Sequence, residues 1–190
     1  MYDWVAKLCS LGATGRVMRR AADLVSVEQP TDVLDVGSGT GNLALALARR
    51  NPAATVVAVE PSEEMLTRAR AKAVQGDLPV EFRQGYAQEL PFGDSAFDAV
   101  TISLALHHVA TDEVSNAMSE LRRVLKRGGR LLVIELDPIG RIPMLLFGHH
   151  ATPVRSLVEP FTSAGFDDIQ TGRMSRRVLG YLLARASGDG

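Results

Sequence analysis

The sequence predicts an α/β fold in which a mostly parallel sheet is covered by helices on both faces. Short apolar runs alternate along the chain with longer segments that carry apolar residues at helical spacing. Such alternation is typical of parallel sheets whose strands are joined by crossover helices. The 190 residues are enough for one domain, and because 46% of them are hydrophobic, a full core can be buried.

Seven short runs carry the strand signal, and they are bounded by glycine, proline or polar residues. They span residues 32–36, 55–59, 80–83, 97–103, 130–136, 166–172 and 178–185. The first two are short apolar runs, which is typical of strands buried on both faces of a sheet. The last two have too little chain between them for a crossover helix, so we predict that one of these strands runs antiparallel.

Helical periodicity fills the segments between the strands. The predicted helices lie within residues 1–30, at 43–50, after 60–62, at 114–125 and between 152 and 165. Ser62 is placed to cap a helix whose first turn holds Glu63 and Glu64. In the last helix, Pro160 must produce a kink or a break.

The bulk properties argue against several function classes. The net charge is −1 and no run of five like charges occurs, so a general nucleic-acid binder is not expected. One cysteine cannot form an internal disulfide or a multi-cysteine metal site, which fits a reducing compartment and a cytoplasmic location. No apolar run is long enough to span a bilayer. The arginines at 173, 176 and 177 are predicted to form a solvated face.

A glycine-rich loop joins the first strand to the helix that follows it. Gly37, Ser38, Gly39, Thr40 and Gly41 form this loop, and such glycines allow a tight turn and a close approach of ligand to backbone. The dinucleotide fingerprint needs a further glycine at position 42, which holds asparagine, and the P-loop pattern is also absent. The loop matches neither pattern, and on its own it is a modest signal, because many nucleotide sites use such loops.

Two acidic residues flank this loop. Asp35 precedes it, where a carboxylate would repel a pyrophosphate but suits a cationic ligand. An ordinary alternative is that Asp35 satisfies nearby backbone amides. Glu60 ends the second strand, at the spacing from which an acid reaches the hydroxyls of a bound ribose. Together they predict a ligand with a positive charge and a free ribose.

These residues belong to a longer series of motifs that resembles the class I S-adenosylmethionine (SAM)-dependent methyltransferases of the small-molecule type. The matching segments are 33–41, 56–62, 90–92, 97–98, 103–109 and 121–135. The resemblance implies a Rossmann-like, doubly wound sheet of seven strands with one antiparallel strand, and SAM at the carboxyl ends of the strands. Because apolar residues also precede these motifs, we divide the chain into an N-terminal helical lid segment, 1–30, and a SAM-binding methyltransferase domain, 31–190.

The same resemblance implies a set of cofactor-binding residues. Asp35 and the loop glycines would hold the methionine end of SAM, Glu60 the ribose, and residues after the third and fourth strands the adenine and methionine portions. The full set is Asp35, Gly37, Ser38, Gly39, Gly41, Glu60, Pro61, Met65, Tyr86, Ala87, Gln88, Ser103 and Leu104. Tyr86 departs from the pattern, because related proteins often carry an aspartate there that binds the adenine amino group.

The acceptor is less clear from the residues. Tyr2-Asp3, together with Leu11-Gly12 and Arg19-Arg20, is faintly similar to quinone-ring C-methyltransferases. The C-terminal third is shorter than in that branch and patterned differently, so we do not adopt its substrate. The apolar segment 139–147 is predicted to help form the acceptor site, or to be a turn packed on the sheet edge. We therefore expect a small, apolar or aromatic acceptor, with a lipid-like molecule as one option.

Methyl transfer to such an acceptor depends mainly on proximity and orientation, because the donor is already activated. A base is needed only where the acceptor must lose a proton. Candidate catalytic residues are Tyr2, His107, His108, His149 and His150. For the histidines the alternative is local hydrogen bonding or an exposed loop position, and the pair at 149–150 lacks enough ligands for a metal site.

Three functions remain open at this point. The first is an active methyltransferase. The second is a catalytically silent SAM-binding or partner-binding module, since binding a donor and turning it over are separate properties. The third is an NAD-dependent oxidoreductase, which the missing glycine at 42 and the presence of Asp35 disfavour.

Overall fold

A seven-stranded sheet organises the residues that the computed structural model describes, which are 13–110, 112–138, 153–176 and 178–188. Its strands are β1 (Asp32–Val36), β2 (Thr55–Glu60), β3 (Val80–Gln84), β4 (Phe97–Ser103), β5 (Leu125–Leu136), β6 (Phe166–Arg173) and β7 (Leu179–Ala186). The helices are α1 (Ala13–Ser26), α2 (Asn42–Arg50), α3 (Glu63–Gln75), α4 (Val114–Val124) and α5 (Val158–Ser163). Short 3₁₀ turns cover Leu106–His108 and Val154–Leu157.

The strand order is β3-β2-β1-β4-β5-β7-β6. The pairs from β3 to β5 are parallel, and β7 runs antiparallel to both of its neighbours, β5 and β6. The predicted doubly wound, Rossmann-like sheet with one antiparallel strand is therefore confirmed. The order reverses between β1 and β4, and in open α/β sheets ligands bind at the carboxyl ends of the strands beside such a switch point.

Apolar side chains fill the space on both faces of the sheet. On one face, α1, α2 and α3 pack against residues such as Val33 and Ala58. On the other face, α4 and α5 pack against residues such as Leu34, Val100 and Ile102. Because the central strands are buried on both sides, their sequences are mostly apolar, and this is why they could be recognised. The buried polar residues Asp35 and Thr101 are exceptions.

The first described helix, α1, runs along the sheet toward its amino edge. Its last turn lies there, because the carbonyl of Leu24 accepts a hydrogen bond from Arg130 (3.0 Å), opposite the start of β4. Fourteen helical residues span about 20 Å, roughly the length of the strands, so Ala13 lies toward the carboxyl edge. The preceding residues, 1–12, and the apolar segment 139–147 lie outside the described residues.

Two local predictions need comment. Pro160 is the third residue of α5, within the first turn that tolerates proline, and a 3₁₀ turn precedes it, so the predicted break is confirmed. The end of α4 differs from the prediction. Leu125 pairs with Phe97 as the first residue of β5, and pairing resumes at Arg130, so the residues between them bulge from the strand where a helix-ending turn was expected.

None of the described helices combines the length and the apolar character that crossing a membrane would require.

Candidate functional site

The glycine loop turns sharply between β1 and α2. Gly37, Gly39 and Gly41 have φ values of 65°, 54° and 76°, in the left-handed region that favours glycine. A Cβ on Gly37 would lie 2.4 Å from the Cβ of Ala105, so packing also requires glycine there. A Cβ on Gly39 would meet no atom within 4 Å. The middle of the loop therefore presents open backbone at the sheet edge.

Glu60 ties the end of β2 to this loop. One carboxylate oxygen accepts a hydrogen bond from the amide of Gly39 (2.9 Å), and the other accepts one from the amide of Ser62 (3.1 Å). Ser62 in turn caps α3, since its hydroxyl accepts from the amide of Met65 (3.4 Å), as predicted. The acid predicted to contact a ribose thus lies directly beside the loop.

Asp35 is buried in β1, with 1% of its surface exposed. One oxygen accepts a hydrogen bond from the hydroxyl of Thr101 on β4 (2.6 Å), a partner that sequence reasoning missed. The other oxygen, Oδ2, is also buried and makes no hydrogen bond of regular geometry in the described part of the chain. Burial raises the pKa of Asp35 to about 7, although the Thr101 hydrogen bond and the nearby backbone amide of Ala44 oppose this rise. A buried carboxylate with one unused oxygen is suited to a cationic group.

Two serines share this property with Asp35. The hydroxyls of Ser38 and Ser103 are buried, and neither has a hydrogen-bond partner among the described residues. Leu104 follows Ser103 with a φ of 55°, a conformation that costs a non-glycine residue free energy and often marks a functional site. The structure therefore brings together, at the ends of adjacent strands, polar groups that lack partners within the protein.

The predicted adenine side is more exposed. Tyr86 is 57% exposed, and its backbone forms an isolated bridge with Glu89. Ala87, Gln88 and Met65 are partly buried, whereas Pro61 is exposed. The amide of Gln88 donates to Glu113 at the start of α4 (2.6 Å), so this side chain is directed along the sheet edge.

A buried histidine–carboxylate pair lies at the same edge. Glu135, near the end of β5, is fully buried, and it accepts hydrogen bonds from the amide of Leu106 (2.9 Å) and from Nδ1 of His107 (2.7 Å). The His107 ring packs on that of His108, with centroids 4.0 Å apart. Sequence reasoning named both histidines but missed Glu135. The available signal was an acid within the apolar run 131–136 at the end of β5.

An ion pair lies just beyond the end of β5. Arg173 donates from Nη1 to the carbonyl oxygen (2.6 Å) and to Oδ2 (2.7 Å) of Asp137. The prediction that Arg173 belongs to a solvated face was wrong, because its side chain is only 30% exposed and lies against another strand. The remaining catalytic candidates, Tyr2, His149 and His150, lie outside the described residues.

The fold and this edge define a class: open α/β proteins that bind a cofactor at a glycine loop beside the switch point of the sheet. A family model described as a methyltransferase domain matches residues 33–129, which include the loop, Glu60 and the start of β5. The chain belongs to this methyltransferase domain family. The resemblance drawn from the motifs is thereby confirmed.

Curated relatives lie among quinone-modifying enzymes. A demethylmenaquinone methyltransferase of Thermus thermophilus is 46% identical over 137 residues, which cover 72% of this chain and 61% of the relative. The ubiquinone/menaquinone biosynthesis C-methyltransferase UbiE of Geobacter sulfurreducens is 35% identical over 141 residues, covering 72% of this chain and 54% of the relative. The chain thus spans less than two thirds of the length of these relatives.

A solved structure with the same fold carries a different name. The crystal structure of the [4+2]-cyclase SpnF superposes with a TM-score of 0.74 at 26% identity, covering 89% of this chain and 80% of that one. The agreement in topology extends over nearly the whole of this chain. The cyclase name also shows that this fold alone does not determine the reaction.

Proposed function

We propose that the chain transfers a methyl group from SAM to a ring carbon of a small, apolar, quinone-like acceptor. The observation that carries this proposal is the buried, unpartnered oxygen of Asp35 beside the glycine loop, in a chain of the methyltransferase domain family. The names of the curated relatives support a quinone-like acceptor. A cytoplasmic location, and an acceptor other than nucleic acid, complete the proposal.

Several of the described residues support this choice of donor. When bound, SAM supplies a methyl group on a positively charged sulfur, together with an ammonium group and a ribose. Asp35 would accept a hydrogen bond from the ammonium group, and the hydroxyls of Ser38 and Ser103 would gain the partners that they lack. Glu60 uses each oxygen once, for Gly39 and Ser62, and retains lone pairs for the ribose hydroxyls.

The acceptor must lose a proton when its ring carbon is methylated. A carbon–methyl bond forms, the methyl–sulfur bond breaks with its electron pair left on sulfur, and one proton leaves the acceptor. We assign the removal of that proton to His107. Glu135 accepts a hydrogen bond from Nδ1 and thereby fixes the orientation of this ring. Glu135 is then a positioning residue that acts through His107.

A silent SAM-binding module is the competing function, and the like-folded cyclase is the reason to test turnover directly. The experiment is incubation of the chain with tritiated SAM and four acceptors: a short-chain prenyl 1,4-naphthoquinol, a benzoquinol, a simple phenol and an amine. We expect label in the naphthoquinol, with mass spectrometry showing a ring methyl. Binding of S-adenosylhomocysteine (SAH) without transfer to any acceptor would favour the silent module, and tight binding of NAD would contradict both.

A further inference from the structure

One row of residues crosses the far half of the sheet near its carboxyl edge. Arg173 on β6 pairs with Gly180 on β7, and Gly180 also pairs with Glu135 on β5. Side chains of directly paired residues lie on the same face of a sheet, so Arg173 and Glu135 share a face. Between them Gly180 has no side chain.

Because Gly180 has no side chain, there is room for the Arg173–Asp137 ion pair beside it. A Cβ on Gly180 would lie 2.7 Å from Oδ2 of Asp137, the atom that accepts the hydrogen bond from Arg173. The guanidinium group therefore reaches across β7 to the residue that follows β5. Neighbouring strands are about 4.8 Å apart, so the end of β4, where Ser103 stands, is one strand away.

Only part of this guanidinium group is used within the protein. Nη1 makes both hydrogen bonds to Asp137, whereas Nε and Nη2 are buried and have no partner among the described residues. Three N–H bonds of a charged group are thus left without an acceptor. Buried donors without partners are uncommon in folded proteins, because leaving them unpaired costs free energy. A ligand oxygen at this position would satisfy them.

We propose that Arg173 binds a ring oxygen of the acceptor through Nε–H and Nη2–H. This inference rests on the proposed function and deepens it by naming the residue that recognises the acceptor. Asp137 neutralises the charge of the guanidinium group, so the pair suits a carbonyl, phenol or phenolate oxygen better than a doubly charged phosphate. The same row carries Glu135, the partner of His107, so an oxygen held here places the ring beside the proposed base.

Arg173→Lys tests this role with little change to the fold. A lysine ammonium group can still donate to Asp137, but it does not supply the donors at the Nε and Nη2 positions. We expect the KM for the prenyl 1,4-naphthoquinol, and its calorimetric Kd measured with SAH present, to rise about tenfold or more. The Kd for SAH alone should change less than threefold. Arg155→Lys, an exposed position on the 3₁₀ turn Val154–Leu157, is the matched control and should change neither value.

A purely structural role for Arg173 makes the opposite prediction. In that case Arg173→Lys would lower the melting temperature and leave the Kd for the naphthoquinol within threefold of the wild type, which would overturn the inference. Arg173→Gln combined with Asp137→Asn removes the charges of both partners together. This double variant should also lose about tenfold in naphthoquinol affinity, and retained affinity would again overturn the inference.

Removing the ring oxygens from the ligand tests the same contact from the other side. A naphthalene with the same prenyl chain but no ring oxygens should compete less well than the naphthoquinol in the wild type, and equally well in Arg173→Lys. If the preference for the oxygenated ring persists in the variant, another residue binds the oxygen and the inference is wrong. A wild type that methylates only another acceptor and binds no naphthoquinol also overturns it. Failure of the proposed function is seen separately, as transfer to none of the four acceptors.

Discussion

Asp35 carries a carboxyl group whose pKa lies near 7 in the folded chain, compared with an ordinary value of 3.8. Between these two values the folded state holds a proton that the unfolded state has released. The contribution of Asp35 to the free energy of unfolding therefore falls as pH rises from about 4 to 7, and it is constant above that range. Since each pKa unit corresponds to about 1.4 kcal/mol, the loss is on the order of 4 kcal/mol.

Comparing the free energy of unfolding of Asp35→Asn with that of the wild type at several pH values tests this pH dependence directly. Asparagine keeps the shape and can still accept from Thr101, but it never ionises. In the absence of ligand we expect the variant to be more stable than the wild type at pH 8, and the difference to shrink steadily toward pH 4. Urea unfolding at several pH values measures it. A difference that does not depend on pH would show that Asp35 does not titrate in this range.

Donor affinity should depend on the same ionisation. If the ammonium group of SAH requires ionised Asp35, the affinity should rise about tenfold between pH 6 and pH 8 as the carboxyl group loses its proton. Calorimetry in buffers with different ionisation enthalpies should also detect release of a proton on binding at pH 6. In Asp35→Asn the affinity should be weak and flat over this range. An equally steep profile in that variant would assign the titration to another group.

Among the elements, α1 is the one that connects residues 1–12 to the folded core. Its buried side chains, among them Ala21, Ala22 and Val25, fix it to the core, and its first residue lies toward the carboxyl edge where the donor loop stands. Residues 1–12 precede this helix in the chain. We propose that they close over the bound donor, which is the part of the predicted lid segment that α1 leaves available.

Deletion of residues 1–12 tests that proposal. The shortened chain should remain folded, because the buried face of α1 is retained, and should bind SAH within a few-fold of the wild type. Turnover should fall about 100-fold, the scale of loss caused by small errors in positioning. In the 190-residue chain, Trp4 is the single tryptophan, so its fluorescence should change when SAH is added. Full activity in the shortened chain would make the segment dispensable.

The elements were largely predictable because their signals are local. Buried strands such as β1 and β4 are short, mainly apolar runs, and the start of α3 is marked by the capping residue Ser62 followed by two glutamates. The start of β5 was missed because the basic residues and glycines after Leu125 have the composition of a helix-ending turn. Its pairing with Phe97 is a contact between distant parts of the chain that local composition does not encode.

The site was predictable where the chain itself brings residues together, as in the glycine loop with Asp35. It was not predictable where partners are distant in sequence. Glu135 and His107 are 28 residues apart, and Arg173 and Asp137 are 36 residues apart. In each pair, the residues that flank the two partners in the sequence do not indicate the contact. Only the order of strands in the sheet brings the two partners together.

For the whole molecule, donor binding and unfolding are coupled, since a ligand that binds only the folded state stabilises it. At a free SAH concentration of 100 times the Kd, the gain is about 2.7 kcal/mol, or a rise of about 5–10 °C in melting temperature for a chain of this length. Thermal unfolding at pH 8 should show this rise with SAH and none with NAD. A rise in melting temperature with NAD alone would contradict SAM binding and favour an NAD-dependent oxidoreductase.

The position of β7 imposes an order of events during synthesis. This strand is translated after β5 and β6, yet it lies between them, and among the described strands β6 pairs with β7 alone. Until Leu179–Ala186 has left the ribosome, the edge of β5 stays open and β6 has no place in the sheet. Open strand edges are sites of aggregation, so a nascent chain that stalls before β7 depends on chaperones in a way that the finished protein does not.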